Sequence, residues 1–262
     1  MELVLFPESL QYNEFYLPGH INNKEMEEVE SYQHVLKLLE NKASVKQQIF
    51  KTTSSVFNLF KVELQEICLD MQNDFSKIDK NVEISYSDRG DFEAQLKFSG
   101  DVLVISMHSN VFGFPPEHEI NKLKYVQDDP SRKYCGVIHI HNFLADSLKY
   151  NRTTDIGYLL GRVFINKEEH FFVDGQSQLG FLFNSFWKGK LKKEQIRKIL
   201  ELAIIYCMDF DLLTPPFESV RQITLEEKQY MGSNSGYPTG KRMGYKFRQE
   251  LDPSLVPVNK SK

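Results

Sequence analysis

His139 and His141 stand two apart in the run YCGVIHIHNFL, whose alternation reads as a strand, so both imidazoles project from one face. His108 follows the apolar run Val102 to Met107, which a neighbouring strand would carry. Three converging imidazoles would make a transition-metal site, since strand-borne His-x-His is a spacing that zinc enzymes use. Cys135 and Val137 share the face, however, and no convincing carboxylate ligand stands in the same strand. That composition suits a half-buried face of hydrogen-bonded histidines better than a metal centre.

Arg162 interrupts the apolar stretch Ile156 to Ile165 and has Asp146 and Asp155 nearby in sequence. A buried guanidinium must find a partner, because leaving it unpaired costs several kcal/mol. A structural ion pair with one of those aspartates is the expectation; an anion-binding arginine in a pocket at the sheet edge is the functional alternative. Glu83, Asp88, Asp91 and Glu93 with Lys97 invite comparison with nucleases that set acids and a lysine on adjacent strands. Here they surround a turn, and Glu93 and Lys97 are four apart rather than two, so a solvated hairpin is expected. No G-x-S-x-G or phosphate-loop pattern occurs, and none of the cysteines has a nearby histidine to form a dyad.

The segment from Gly232 to Arg248 holds cations, aromatics and glycines with no acid among them. Lys241, Arg242, Lys246 and Arg248 could neutralise phosphates while Tyr245 and Phe247 offer faces on which bases stack. The alternation of Met243, Tyr245 and Phe247 with the cations also fits an edge strand with a wet basic face.

These groups need elements to position them. Pro7, Pro18 and Gly19 make residues 1–21 an irregular arm, and 22–80 is helical. A first helix opens on Glu25, Glu27 and Glu28, where negative charge favours a helix start. A second begins near Ser44, with Gln47 as its capping-box partner. Val45, Ile49, Val56, Phe60, Leu64, Ile67, Met71 and Phe75 place one apolar stripe along it, as far as Ile78. The stripe suits packing on the protein's own sheet, with a seam for a second copy of the chain as the alternative.

Beyond Lys80 the period becomes two. Val82, Ile84 and Tyr86, then Phe92 to Phe98, then Val102 to Met107 form an antiparallel meander with turns at Ser87–Gly90 and Ser99–Asp101. A poorly patterned connection, 109–133, is long enough to suggest a functional or moving segment. Strands follow at Tyr134 to Ile140, Ile156 to Ile165 and His170 to Val173, and a closing helix runs from about Leu191 to Phe210. The apolar Ile156–Ile165 run is expected at the centre of the sheet, buried on both faces. Residues 81–213, with the 22–80 helices, form one domain, and 214–262 an irregular basic extension.

The fold class is therefore α+β: a mostly antiparallel five- or six-stranded sheet, covered on one face by a long N-terminal helix and a C-terminal helix. The chain has 262 residues, 41% of them hydrophobic, and a formal net charge of −4, which opposes coating nucleic acid by bulk charge. Cys68, Cys135 and Cys207 each lie in apolar runs, as core thiols would. Neither a signal peptide nor a membrane-spanning run is visible, so a cytoplasmic location without membrane contact is expected. Nothing calls for a cofactor. Together these features suggest a non-catalytic, sensor-like or scaffold binding protein that engages an anionic, phosphate-bearing ligand or a protein partner. Nucleic-acid association through the basic tail is the alternative, and a histidine metalloenzyme the second.

Overall fold

The computed structural model describes residues 31–75, 77–175, 178–182, 186, 189–209, 214, 216–226 and 228–229. The arm 1–21, the expected helix start at 22–30 and the basic segment 241–248 lie outside the described residues. The chain divides into two compact units, residues 1–44 and 45–262. In the first, α1 (Ser31–Leu38) has no buried residue, and Tyr32, Val35 and Leu36 are exposed. A π-helical turn, Leu39–Ala43, follows, and the Ser44 N–H donates to the Leu39 carbonyl. Ser44 has helical angles (φ −59°, ψ −43°) and is not the N-cap its spacing to Gln47 suggests. The turn before it supplies the carbonyls, so no orphan donors are left for a capping side chain.

The second unit contains α2 (Ser44–Phe75, all but its first residue), β1 (Ile84–Asp88), β2 (Glu93–Phe98), β3 (Asp101–Met107), α3 (Lys124–Asp128), β4 (Gly136–Leu144) and α4 (Ala145–Lys149). Then come β5 (Tyr158–Ile165), β6 (Phe171–Gly175), α5 (Gln178–Leu182), α6 (Lys193–Met208) and α7 (Phe217–Val220). The six strands form one sheet in the order of the sequence, every neighbour antiparallel. Three hairpins and two longer connections, the second carrying α4, suffice for such a meander, with no crossover between parallel strands. No helix among the described residues is long and apolar enough to cross a membrane.

The inner face of the sheet packs on α2 and α6. Ile49, Val56, Phe57, Phe60, Leu64 and Ile67 of α2 recur at helical spacing and are buried, the last five in one core with Leu96, Leu103, Ile105, Ile138, Ile140 and Val163 of the strands. Ile196, Ile199, Leu200 and Ala203 of α6 join the same core. Each fully buried aliphatic or aromatic side chain contributes about 1.5–3 kcal/mol relative to exposure, so this face supplies most of the driving force. Lys193 of α6 bridges Glu63 and Glu66 of α2 at 3.0 and 2.8 Å, and Arg197 reaches Asp70 at 2.7 Å. The pairs to Glu66 and Asp70 are exposed and add little stability, whereas Glu63 is buried.

The outer face has its own smaller core at one end. Cys135, Val137, Phe164 and Phe186 are buried there with Ile120 and Val126 of the 109–133 connection. That connection is ordered by a polar clamp on the β5–β6 hairpin. The Tyr125 hydroxyl donates to Glu168 Oε2 at 2.7 Å and accepts from Asn166 Nδ2 at 2.9 Å. Arg132 donates to Glu168 Oε1 at 2.9 Å while lying over the Tyr125 ring, and Lys167 reaches Asp129.

Strand β5 is an inner strand, fifth of the six, but it is not buried on both faces throughout. Its outer side chains Leu159 and Arg162 reach solvent. A β-bulge explains their placement: Ile140 pairs with Gly161 and His141 with Leu159, leaving Leu160 as the extra residue. Leu160 turns into the inner core although it has the same parity as Arg162. Strict alternation therefore fails across this bulge.

Candidate functional site

β4 is longer than its alternation suggests and continues through Leu144, which places His139 and His141 in mid-strand on the outer face. His139 lies opposite Ser106 of β3 and Arg162 of β5. His108, just past the end of β3, brings its ring centroid to 6.3 Å from that of His139, and His141 lies at 5.8 Å on the other side. The three histidines are thus brought together as a row. A zinc site needs imidazole nitrogens about 2.0–2.1 Å from one common ion, and among the described residues no group of three or more His, Cys, Asp or Glu could hold a metal ion.

Arg162 is not paired with Asp146 or Asp155, as its neighbourhood in sequence suggests. Its partner is Asp174, directly opposite on β6, which takes Nε at 3.0 Å and Nη2 in a shorter contact. The two side chains are 43% and 54% exposed, so the pair is a solvated one and holds Arg162 in place without sequestering it. Asp155 instead accepts from Ser147 at 2.5 Å and faces Arg152, bracing the turn after α4. The hairpin turn at Asn166–Glu169 predicts the 162–174 pair once β6 is extended to Gly175; ending that strand at Val173 hides it.

A cleft of about 660 Å³ opens between this row and the connection. Arg162, His108, His139 and His118 line it together with Phe112, Phe114, Phe164 and Phe172, and Asp174 is its only carboxylate among the described lining residues. The aromatic wall is interlocked: Phe164 stacks on Phe172 at 4.8 Å, and Phe114 meets Phe164 edge-on at 5.2 Å. Arg162 lies 5.3 Å over the Phe164 ring. Phe112, Phe114 and His118 come from the long connection, whose lack of periodicity conceals them; only its length hints at a role.

The histidines are set to donate. His108 Nδ1 accepts from the Asn110 N–H at 3.0 Å, and His118 Nδ1 accepts from the Ile120 N–H at 3.3 Å. An accepting ring nitrogen carries no proton, so the neutral ring keeps its proton on Nε2 as a donor. Burial holds His139 and His141 below the ordinary histidine range, and for His139 the neighbouring His141, His108 and Arg162 push further in that direction. The cleft therefore offers one guanidinium, the free Nε2 edges of His108 and His118, and flat apolar walls.

The acids around β1–β2 form the solvated hairpin expected of them. Lys97 pairs with Glu83 and Lys61 with Asp88, on exposed carboxylates. Cys68, Cys135 and Cys207 are buried core thiols. Lys241, Arg242, Tyr245, Lys246 and Arg248 lie outside the described residues, so the nucleic-acid alternative gains no geometry. Comparison with known proteins finds no matching family model, curated protein or solved structure.

Proposed function

We propose that this is a non-catalytic binding protein whose outer-face cleft takes a small, flat ligand bearing a carboxylate or phosphate. What supports this is one juxtaposition: Arg162 stands among histidine donors inside a wall of phenylalanines, in a volume suited to a small molecule. The anionic end would share Arg162 with Asp174, and the planar body would lie against Phe114 and Phe172. Charge-assisted bonds to a guanidinium fix orientation, while the aromatic surface supplies most of the burial.

Titration with phenyl phosphate and with benzoate, followed by side-chain NMR of the histidines, tests it. Resonances of His108 and His139 should shift on saturation. Arg162→Gln should weaken binding about 10-fold or more, the loss of a hydrogen bond to a charged group. Asp174→Asn, which removes the competing carboxylate, should strengthen it. Equal affinity in all three proteins, or no histidine response to either probe, would refute the assignment.

A further inference from the structure

A second cleft, of about 800 Å³, lies at the opposite chemical extreme. It opens on the inner side of the sheet, where α2 and α6 both end. Met71 and Phe75 of α2, Ile205 and Met208 of α6, and Ile84 and Phe98 of the sheet give it an apolar lining. Ile78, Ile205 and Met208 at its border are 75%, 52% and 62% exposed. Scattered exposed aliphatics are ordinary, but these three border one cavity of small-molecule size.

The balance of charge around it favours a cation. Asp70, Asp74, Asp101 and Glu201 are on its border with a single guanidinium, Arg197. Arg197 is already engaged, to Asp70 at 2.7 Å and Glu201 at 2.9 Å. Asp74 has no hydrogen bond or ion pair among the described residues. Neither α2 nor α6 carries a basic residue in its last turn, where cations usually offset the negative end of the helix dipole. Two helix C-termini without a basic residue in their last turns, and more carboxylates than cations among the described lining residues, thus surround an apolar hole.

We propose that this cleft binds an organic cation with an apolar body, an alkyl- or arylammonium, its charged head near Asp74 and its body against Phe75 and Ile205. The site is separate from the outer-face cleft and does not depend on the function proposed for it. Three probes with the same ten-carbon chain separate charge from burial: decyltrimethylammonium, decanol and decyl sulfate, each titrated calorimetrically below micelle formation. The ammonium should bind roughly tenfold or more tighter than the sulfate, with decanol between them. Asp74→Asn should reduce that preference several-fold, and Ile205→Gln, at an exposed position that folding tolerates, should weaken all three. Arg162→Gln should leave the ammonium affinity unchanged. Head-group-independent binding, or an ammonium affinity indifferent to both Asp74→Asn and Ile205→Gln, would overturn the proposal. So would capture of a basic amphipathic peptide by a protein that ignores the ammonium probe, which would make the cleft a peptide groove.

Discussion

Gly136 of β4 lies directly beneath Thr53 of α2, so close that a Cβ on the glycine would sit 2.1 Å from Thr53 Oγ1 and 2.8 Å from its Cβ. Thr53 is fully buried, and its hydroxyl is satisfied within the helix by donation to the Ile49 carbonyl at 2.8 Å. The contact sets how closely α2 approaches the sheet, and hence where the inner core begins. Gly136→Ala is expected to cost about 1–3 kcal/mol, the usual penalty for overfilling a packed interior. In urea unfolding, the double variant with Thr53→Ala should lose less than the two single losses combined, because the closest atom, Thr53 Oγ1, is gone. Additive losses would mean the helix is free to shift.

The polar clamp on the long connection makes a second prediction. Tyr125→Phe removes one hydroxyl that both donates to Glu168 and accepts from Asn166, the latter buried. The expected loss is about 1–2 kcal/mol, read from denaturant midpoints. Burial raises the Tyr125 hydroxyl to about 12, so it stays a donor to the carboxylate throughout the neutral range. A midpoint unchanged by the substitution would show that the aromatic contacts alone hold the connection.

Most of this architecture was legible in the residues, because the α2 stripe, the three-strand meander and the turn chemistry all point to one arrangement. Ile49, Phe60 and Leu64 had to face a core, and they do. What was hidden depends on pairing rather than on local pattern. The Leu160 bulge breaks the two-residue period, and the Arg162–Asp174 pair requires the far end of a strand whose last residues, Asp174 and Gly175, look like a turn. His139 and His141 could be read as sharing a face, but Phe112 and Phe114 of the cleft wall arrive from an aperiodic segment and leave no sequence signal. The apolar cleft between the helix ends was equally hidden, since its residues read as ordinary core positions.

Cysteine chemistry offers a third test. All three thiols are buried, and burial raises Cys68 and, much more strongly, Cys135 above the ordinary range, so little reactive thiolate is present. Native protein should resist an aromatic disulfide reagent, and unfolded protein should titrate at all three positions. Cys135 sits under the connection that Tyr125 clamps, so Tyr125→Phe should accelerate its labelling while Cys68 and Cys207 remain protected. Simultaneous labelling of all three would show that opening is global rather than local.

The histidine row makes stability and binding depend on pH in opposite directions. Burial lowers His139 and His141 in the folded state, so folding favours their neutral forms. Against an unfolded value of about 6.5, their contribution is complete above that pH and declines as protons are forced onto the folded rings. Unfolding free energy should therefore fall between about pH 7 and pH 5, and His139→Gln with His141→Gln should flatten that slope. An anion held at Arg162 relieves the repulsion that His108, His141 and Arg162 exert on a protonated His139, with Asp174 as the opposing carboxylate. Benzoate, which stays ionised through this window, must then take up protons on binding, and linkage requires its affinity to rise as the pH falls from about 7 to 5. Measured in two buffers of different ionisation enthalpy, calorimetry should show that uptake in the wild type and its disappearance in the double variant. Proton release, or no uptake at all, would remove the histidines from the anion site.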